Sequence, residues 1–201
     1  TMTVKKDLKI VALAGFLIAI LAIPITSNLG LPPILKSFGS IGVSVILFVL
    51  TLVGFLILDF FSRWLAILRL ITKFTIVGGL NTFLDFAVLN FLIASSGIVA
   101  GLGFSFFKGI SFLVAVTNSY FWNKYWTFES QTKKELEFVQ FAVVSTIGFF
   151  INVGVASFIV NNIGVPSAVS PTLWANFGAL VAVAASLIWN FLGYKFIVFR
   201  R

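Results

Sequence analysis

Six side chains in this 201-residue sequence combine a chemistry-bearing group with an apolar setting: Asp85, Asn81, Lys108, Asn152, Lys124 and Lys195. Asp85 is the one acid near the middle of a long apolar run. It stands eleven residues beyond Phe74, which at the helical rise places it roughly 16 Å into a bilayer, close to the midplane. A carboxylate at that depth costs about 2.5–3.5 kcal/mol on insertion scales, so it must face a bundle interior, be protonated or be paired. Lys108 begins the following apolar run, and its aliphatic stem can carry the ammonium down toward Asp85. Such a pair either marks a polar route through the membrane or fixes helix packing. Asn81 precedes Asp85 by four residues, which puts both on one helical face. Asn90, Asn118, Asn152, Asn176 and Asn190 are further amides in apolar runs; interhelical hydrogen bonds, at about 0.6 kcal/mol each, explain most of them as packing. Lys124 and Lys195 are flanked by aromatic residues at a membrane boundary. That placement suits a lipid phosphate, and equally suits anchoring beside Trp122 and Trp126 in an interfacial belt.

Catalysis has little to work with. There is no His, no Cys and no paired carboxylate, so neither an enzyme, a metal site nor a cofactor is expected. Glu129, Glu135 and Glu137 read as a short solvated loop, and Gly78–Gly79 lacks the Lys-Ser/Thr of a phosphate loop, so close helix packing accounts for it.

The elements that must position these residues are membrane spans. The chain is 60% hydrophobic and 10% charged, with 25 Phe, too little charge to cover a soluble fold. Six runs are long enough to cross a bilayer: about 8–26, 41–60, 74–96, 104–122, 139–161 and 174–194. The five prolines, Pro24, Pro32, Pro33, Pro166 and Pro171, fall at or near alternate connections. Twelve of the fourteen basic residues fall before the first run, between the second and third, between the fourth and fifth, or after the sixth; Lys36 and Lys108 are the exceptions. The basic face is therefore expected to be cytoplasmic, with both termini there, in a plasma membrane. The net charge of +8 is assigned to topology and anionic headgroups, and no nucleic-acid partner is expected. The first run resembles a signal peptide in outline, but its length favours an uncleaved anchor. Phe60 to Lys73 reads as an amphipathic helix resting on the inner leaflet, with Ser62, Ala66, Arg69 and Lys73 on one stripe.

The sequence repeats. At an offset of 67, Phe74 meets Phe141, Phe83 meets Phe150, Asp85 meets Asn152 and Gly97 meets Gly164; at an offset of 71, Asn123–Phe128 lies over Tyr194–Phe199, pairing Lys124 with Lys195. The expectation is an all-α transmembrane bundle. Residues 1–73 form a two-span hairpin with the interfacial helix, and 74–201 a four-span domain of two parallel hairpin repeats, about 74–128 and 141–199, related by an axis along the membrane normal.

On these motifs residues 70–201 resemble the GtrA-like family, which includes the membrane domain of some dolichol-phosphate-mannose synthases. Phe74, Val77, Gly78, Gly79 and Asn81 open the pattern, Trp122–Phe128 is close to the family's Asn-Arg-x-Trp-Thr-Phe, and Phe141, Gly148, Asn152, Asn190, Phe191, Lys195, Val198 and Phe199 repeat it. Lys124 stands where Arg is common, and the first two spans exceed the usual four. The resemblance implies a role in cell-surface glycan biosynthesis: translocating a polyprenyl-phosphate-linked sugar, or serving as a non-transporting subunit that anchors a membrane glycosyltransferase. A proton-coupled small-molecule transporter using Asp85 is the third reading. Membrane lipids, the lipid-linked sugar, a glycosyltransferase and a second copy of the chain are the expected partners.

Overall fold

The computed structural model describes residues 2–29, 33–62, 64, 66–129 and 135–198. Of the residues named above, Pro32 and Phe199 lie outside these, as do Arg63, Lys133, Lys134, Arg200 and Arg201 among the fourteen basic residues. Among the described residues six helices are long and apolar enough to cross a membrane: α1 (Met2–Leu29), α2 (Gly39–Ser62), α3 (Ala66–Ser96), α4 (Gly101–Trp122), α5 (Glu135–Asn162) and α6 (Pro171–Gly193). A 3-10 turn, Pro33–Phe38, leads into α2, and π-helical turns prolong α4 (Asn123–Thr127) and α6 (Tyr194–Val198).

Local chemistry sets the ends. Gly97 and Gly164, the pair matched at offset 67, both take left-handed backbone (φ 73° and 78°), each directly after or close behind a helix end where a Cβ would be strained. Ser170 caps α6 by accepting from the Leu173 amide at 3.2 Å, with Pro171 at the first helical position. Gly101 opens α4 without a cap from its own neighbour; Asn161 of α5 accepts from its amide at 2.7 Å instead.

Three expectations are corrected. Phe60 to Lys73 is not a separate interfacial helix: Phe60 to Ser62 finish α2, and Ala66 onward open α3. The physical reason is Asp7 of α1, which draws Arg69 and Lys73 inward to ion pairs at 2.7 and 3.4 Å and so turns the basic stripe toward the bundle. Glu135 and Glu137 lie within α5, not in the loop. Pro24 lies inside α1, which continues to Leu29.

The first core, built around Val11, Ala14, Ile18, Phe55, Ile76, Val77, Leu80 and Trp126, joins α1 and α2 to α3. A second, with Leu89, Ile93, Phe104, Ala156, Val160, Ala175 and Ala179, joins the four later helices toward the end of the bundle opposite the basic residues. A third is aromatic: Phe74, Phe128, Phe141 and Tyr194 pack at the basic end, with Tyr194 stacked on Phe141 (centroids 5.0 Å) and edge-on to Phe74 (6.4 Å). The repeat-related Phe74 and Phe141 thus flank one tyrosine.

Candidate functional site

α3, α4, α5 and α6 surround a narrow cavity of about 60 Å³ that is partly open to the surface. From α3 it is lined by Phe74 at one end and Asp85 at the other, from α4 by Phe112 to Ser119, and from α6 by Val183 to Asn190. Asn123 and Tyr194, the first residues of the two π turns, close it at the basic end. Eleven residues of α3 from Phe74 to Asp85 give it a length of roughly 16 Å, from the basic end to mid-bundle.

Asp85 is buried (2% exposed) at the deep end, where it accepts from the Lys108 ammonium and the Ser111 hydroxyl of α4. Lys108 is completely buried and pairs with Asp85 behind the lining. A lone carboxylate or ammonium would be far costlier in this setting than the ion pair, and the second hydrogen bond, from Ser111, satisfies the remaining oxygen. Asn152, matched to Asp85 by the repeat, lies on the α5 wall and donates to the Ser186 hydroxyl of α6 at 2.9 Å. At the offset that pairs Lys124 with Lys195, Lys108 corresponds to Ala179, also completely buried. The second repeat thus lacks both charges, not one. An ion pair in one hairpin is an amide–hydroxyl pair in the other.

Asn81 lines the same cavity, one turn nearer the basic end. Its amide oxygen accepts from Asn118 of α4 (2.8 Å), which in turn accepts from the Trp122 indole at 3.2 Å. Asn81, Asp85 and Asn152 are therefore brought to one cavity. Lys124 and Lys195 are not in its lining. Lys124 donates to the Tyr120 hydroxyl at 3.0 Å, and the Lys195 ammonium lies 5.7 and 5.0 Å from the Phe191 and Phe196 rings.

Sequence reasoning gave no site role to Ser111, Ser119, Asn123, Ser186 and Tyr194, although Asn123 and Tyr194 open the aligned repeat segments. Ser111 and Ser186 are the partners of Asp85 and Asn152. Ser119 accepts from Asn123 at 3.0 Å through both its hydroxyl and its carbonyl. A legible signal existed: Ser-x-x-x-Asn occurs at Ser119–Asn123 and again at Ser186–Asn190, on the last turns of α4 and α6.

The first hairpin is tied to this unit by charge. Asp7 accepts from Arg69 (2.7 Å) and from the Trp126 indole (2.9 Å), and buried Lys73 reaches Glu129 at 2.7 Å and the Trp126 carbonyl at 3.3 Å. The hydrogen bond from Lys73 holds the Glu129 carboxyl below the usual carboxylate range. At the other end Asn28 of α1 donates to Asn90 of α3 (2.7 Å), which exchanges hydrogen bonds with Asn176 of α6 at 2.6 and 3.1 Å.

No curated protein and no solved structure matches the chain. The family model described as GtrA/DPMS, transmembrane domain, matches residues 73–199, from Lys73 at the latch to the end of the second repeat. That span holds every residue lining the cavity and covers well over half of the sequence, so the chain belongs to the GtrA/DPMS transmembrane-domain family.

Proposed function

We propose that this protein translocates a polyprenyl-phosphate-linked sugar across the plasma membrane, with its basic end and both termini toward the cytoplasm. The family and the six-helix membrane bundle fit a membrane protein of glycan biosynthesis. The observation that carries the finer reading is the polar cavity between the two repeat hairpins, reaching a buried ion pair at mid-bundle. Ionisable groups at such depth usually mark a pathway.

A lipid-linked sugar needs a polar passage for its head and an apolar surface for its tail. The cavity supplies the first. A groove between α4 and α5, lined by Leu113, Phe121, Phe149 and Phe150, supplies the second, and Phe112 and Val116 of α4 line both. Lys124 and Lys195, at headgroup depth within the two π turns, would meet the phosphate. A membrane glycosyltransferase would make or consume the lipid-linked sugar, and the protein itself performs no covalent step.

The test is the purified full-length chain in sealed vesicles holding a fluorescent polyprenyl-phosphate hexose, with a membrane-impermeant quencher added outside. Quenching beyond the outer-leaflet share is expected without any transferase. Asp85→Asn/Lys108→Met, which removes both charges together, should slow it about tenfold, equivalent to roughly 1.4 kcal/mol in the barrier. Protection of the inner-leaflet lipid, with or without a transferase, would instead favour a subunit that anchors the transferase.

A further inference from the structure

The two repeats differ in what covers their outer faces. α1 packs on a face of α3 that includes Ile76, Leu80 and Phe83, and reaches Trp126 of the first π turn. At the offset of 67 those α3 residues correspond to Val143, Ile147 and Phe150 of α5, and at 71 Trp126 corresponds to Ile197. Ile76, Leu80 and Trp126 are 8%, 1% and 5% exposed, whereas Val143, Ile147 and Ile197 are 56%, 40% and 48% exposed. Inward positions show no such split: Val77 and Val144 are both buried, as are Phe74 and Phe141. Exposed apolar side chains are ordinary on a helix in lipid, whose tails are as apolar as leucine. What sets this face apart is that its repeat mate carries a helix.

The α5 face has the form of a helix seat. Val143, Ile147, Phe150 and Gly154 follow one another at intervals of four, three and four residues, the spacing of a packed helical seam, over roughly 16 Å. Buried Ala87 of α3 corresponds to exposed Gly154, around whose missing Cβ there is nothing within 4 Å. A small residue there lets a second backbone come close. Charge decides the occupant. Arg69 and Lys73, which hold Asp7 of α1, correspond to Leu136 and Gln140, and Ile197 has no indole. A second α1 on this seat would bring a carboxylate with no counter-ion. The seam itself is uncharged and lies on one helix, so an identical seam can meet it in register about a two-fold axis along the membrane normal, with both copies the same way up.

We infer that a second copy of this chain docks on α5, seam to seam through Val143, Ile147, Phe150 and Gly154, to form a two-fold dimer. Phe150 also lines the α4–α5 groove, so the second copy borders that groove. The dimer does not depend on translocation, because a subunit that only anchors a transferase carries the same seam.

Single-cysteine variants of the full-length chain, purified and reconstituted in vesicles at low protein density, test it by mild oxidation. Ile147→Cys should give a disulfide-linked dimer, and Val53→Cys, exposed on α2, should give only background. Adding Gly154→Leu to the Ile147→Cys chain puts bulk where the chain's own bundle leaves space and removes a helix-weakening glycine, so folding should be kept. It should lower the cross-linked yield about tenfold, the scale of one lost close helix contact. Photobleaching of the singly labelled chain in the same vesicles should proceed in two steps. Single steps only, equal yields from Val53→Cys and Ile147→Cys, or a yield that Gly154→Leu leaves unchanged would overturn the inference, the face then meeting lipid alone. In native membranes a benzophenone placed at position 147 should give a product of twice the chain's mass; a product with a different protein in its place would assign the seam to that partner and overturn the dimer.

Discussion

A charge at mid-membrane persists only when its partner is supplied with it, and the two hairpins make that point twice. Asp85 has Lys108 and Ser111; the matched Asn152 has Ser186, with Ala179 where the lysine would stand. Removing one member of the pair is therefore a different perturbation from removing both. Asp85→Asn leaves a wholly buried ammonium without its counter-ion and should destabilise the bundle by about 3–5 kcal/mol. Asp85→Asn/Lys108→Met should recover most of that loss. Thermal unfolding in detergent checks the order wild type, then double, then single variant; a double variant no more stable than the single would contradict it. The ion pair was legible in the sequence, because the cost of an isolated carboxylate demanded a cation and Lys108 stood one helix away. Ser111 was not, because a lone serine on an apolar helix carries no such demand. Nor was the Asn81–Asn118 bond, since amides bond to whichever neighbour packing brings near.

Among the elements, α1 and α3 show how much a constant offset conveys. Asp7 with Arg69 and Asn28 with Asn90 are both separated by 62 residues. Two helices that keep one register between these ties run parallel for roughly 32 Å. Between them the same offset pairs Ala14 with Ile76, both in the first core. Asp7, Ala14, Leu21 and Asn28 recur every seven residues, as do Arg69, Ile76, Phe83 and Asn90, the spacing of a left-handed helical seam. The chain contains no cysteine, so Ala14→Cys/Ile76→Cys is a clean cross-linking pair. A disulfide should form on mild oxidation, while Phe16→Cys/Ile76→Cys, with the first residue 54% exposed on the outside, should give none. Equal yields would refute the register. The span count and the span centres could be read from hydropathy. The continuity of α3 through Arg69 and Lys73 could not, because a basic stripe looks alike whether it meets headgroups or a distant Asp7.

For the whole molecule, the repeat is expressed in shape as well as sequence. Each hairpin ends in a five-residue π turn carrying a lysine at its second position, and each has a left-handed glycine at its far connection. The asymmetry lies in what is added: α1 latches onto Trp126 of the first π turn, whereas Ile197 occupies the equivalent place in the second and has no indole to offer. Charge orients this body in the proposed sense, with the Lys36 turn outside. Exposed Lys36 and exposed Tyr125 test it: in intact cells an impermeant maleimide should label Lys36→Cys at once and Tyr125→Cys only after permeabilisation. The reverse pattern would invert the molecule and place the cavity mouth outside. Repeats and charge bias were readable before any coordinates. The cavity was not, since its walls come from four helices whose mutual rotation depends on packing no single helix reveals.

The Asn28–Asn90–Asn176 chain also bears on how the molecule is made. Asn176 follows Asn90 by 86 residues, about 4–17 s of synthesis at ordinary elongation rates. Throughout that interval α6 is absent, and the Asn90 amide, whose nitrogen bonds the Phe86 carbonyl of its own helix, needs a donor for its oxygen. Asn28 is already present and donates to the same oxygen. The leading hairpin therefore acts as a standing companion to a helix whose final neighbour has yet to leave the ribosome.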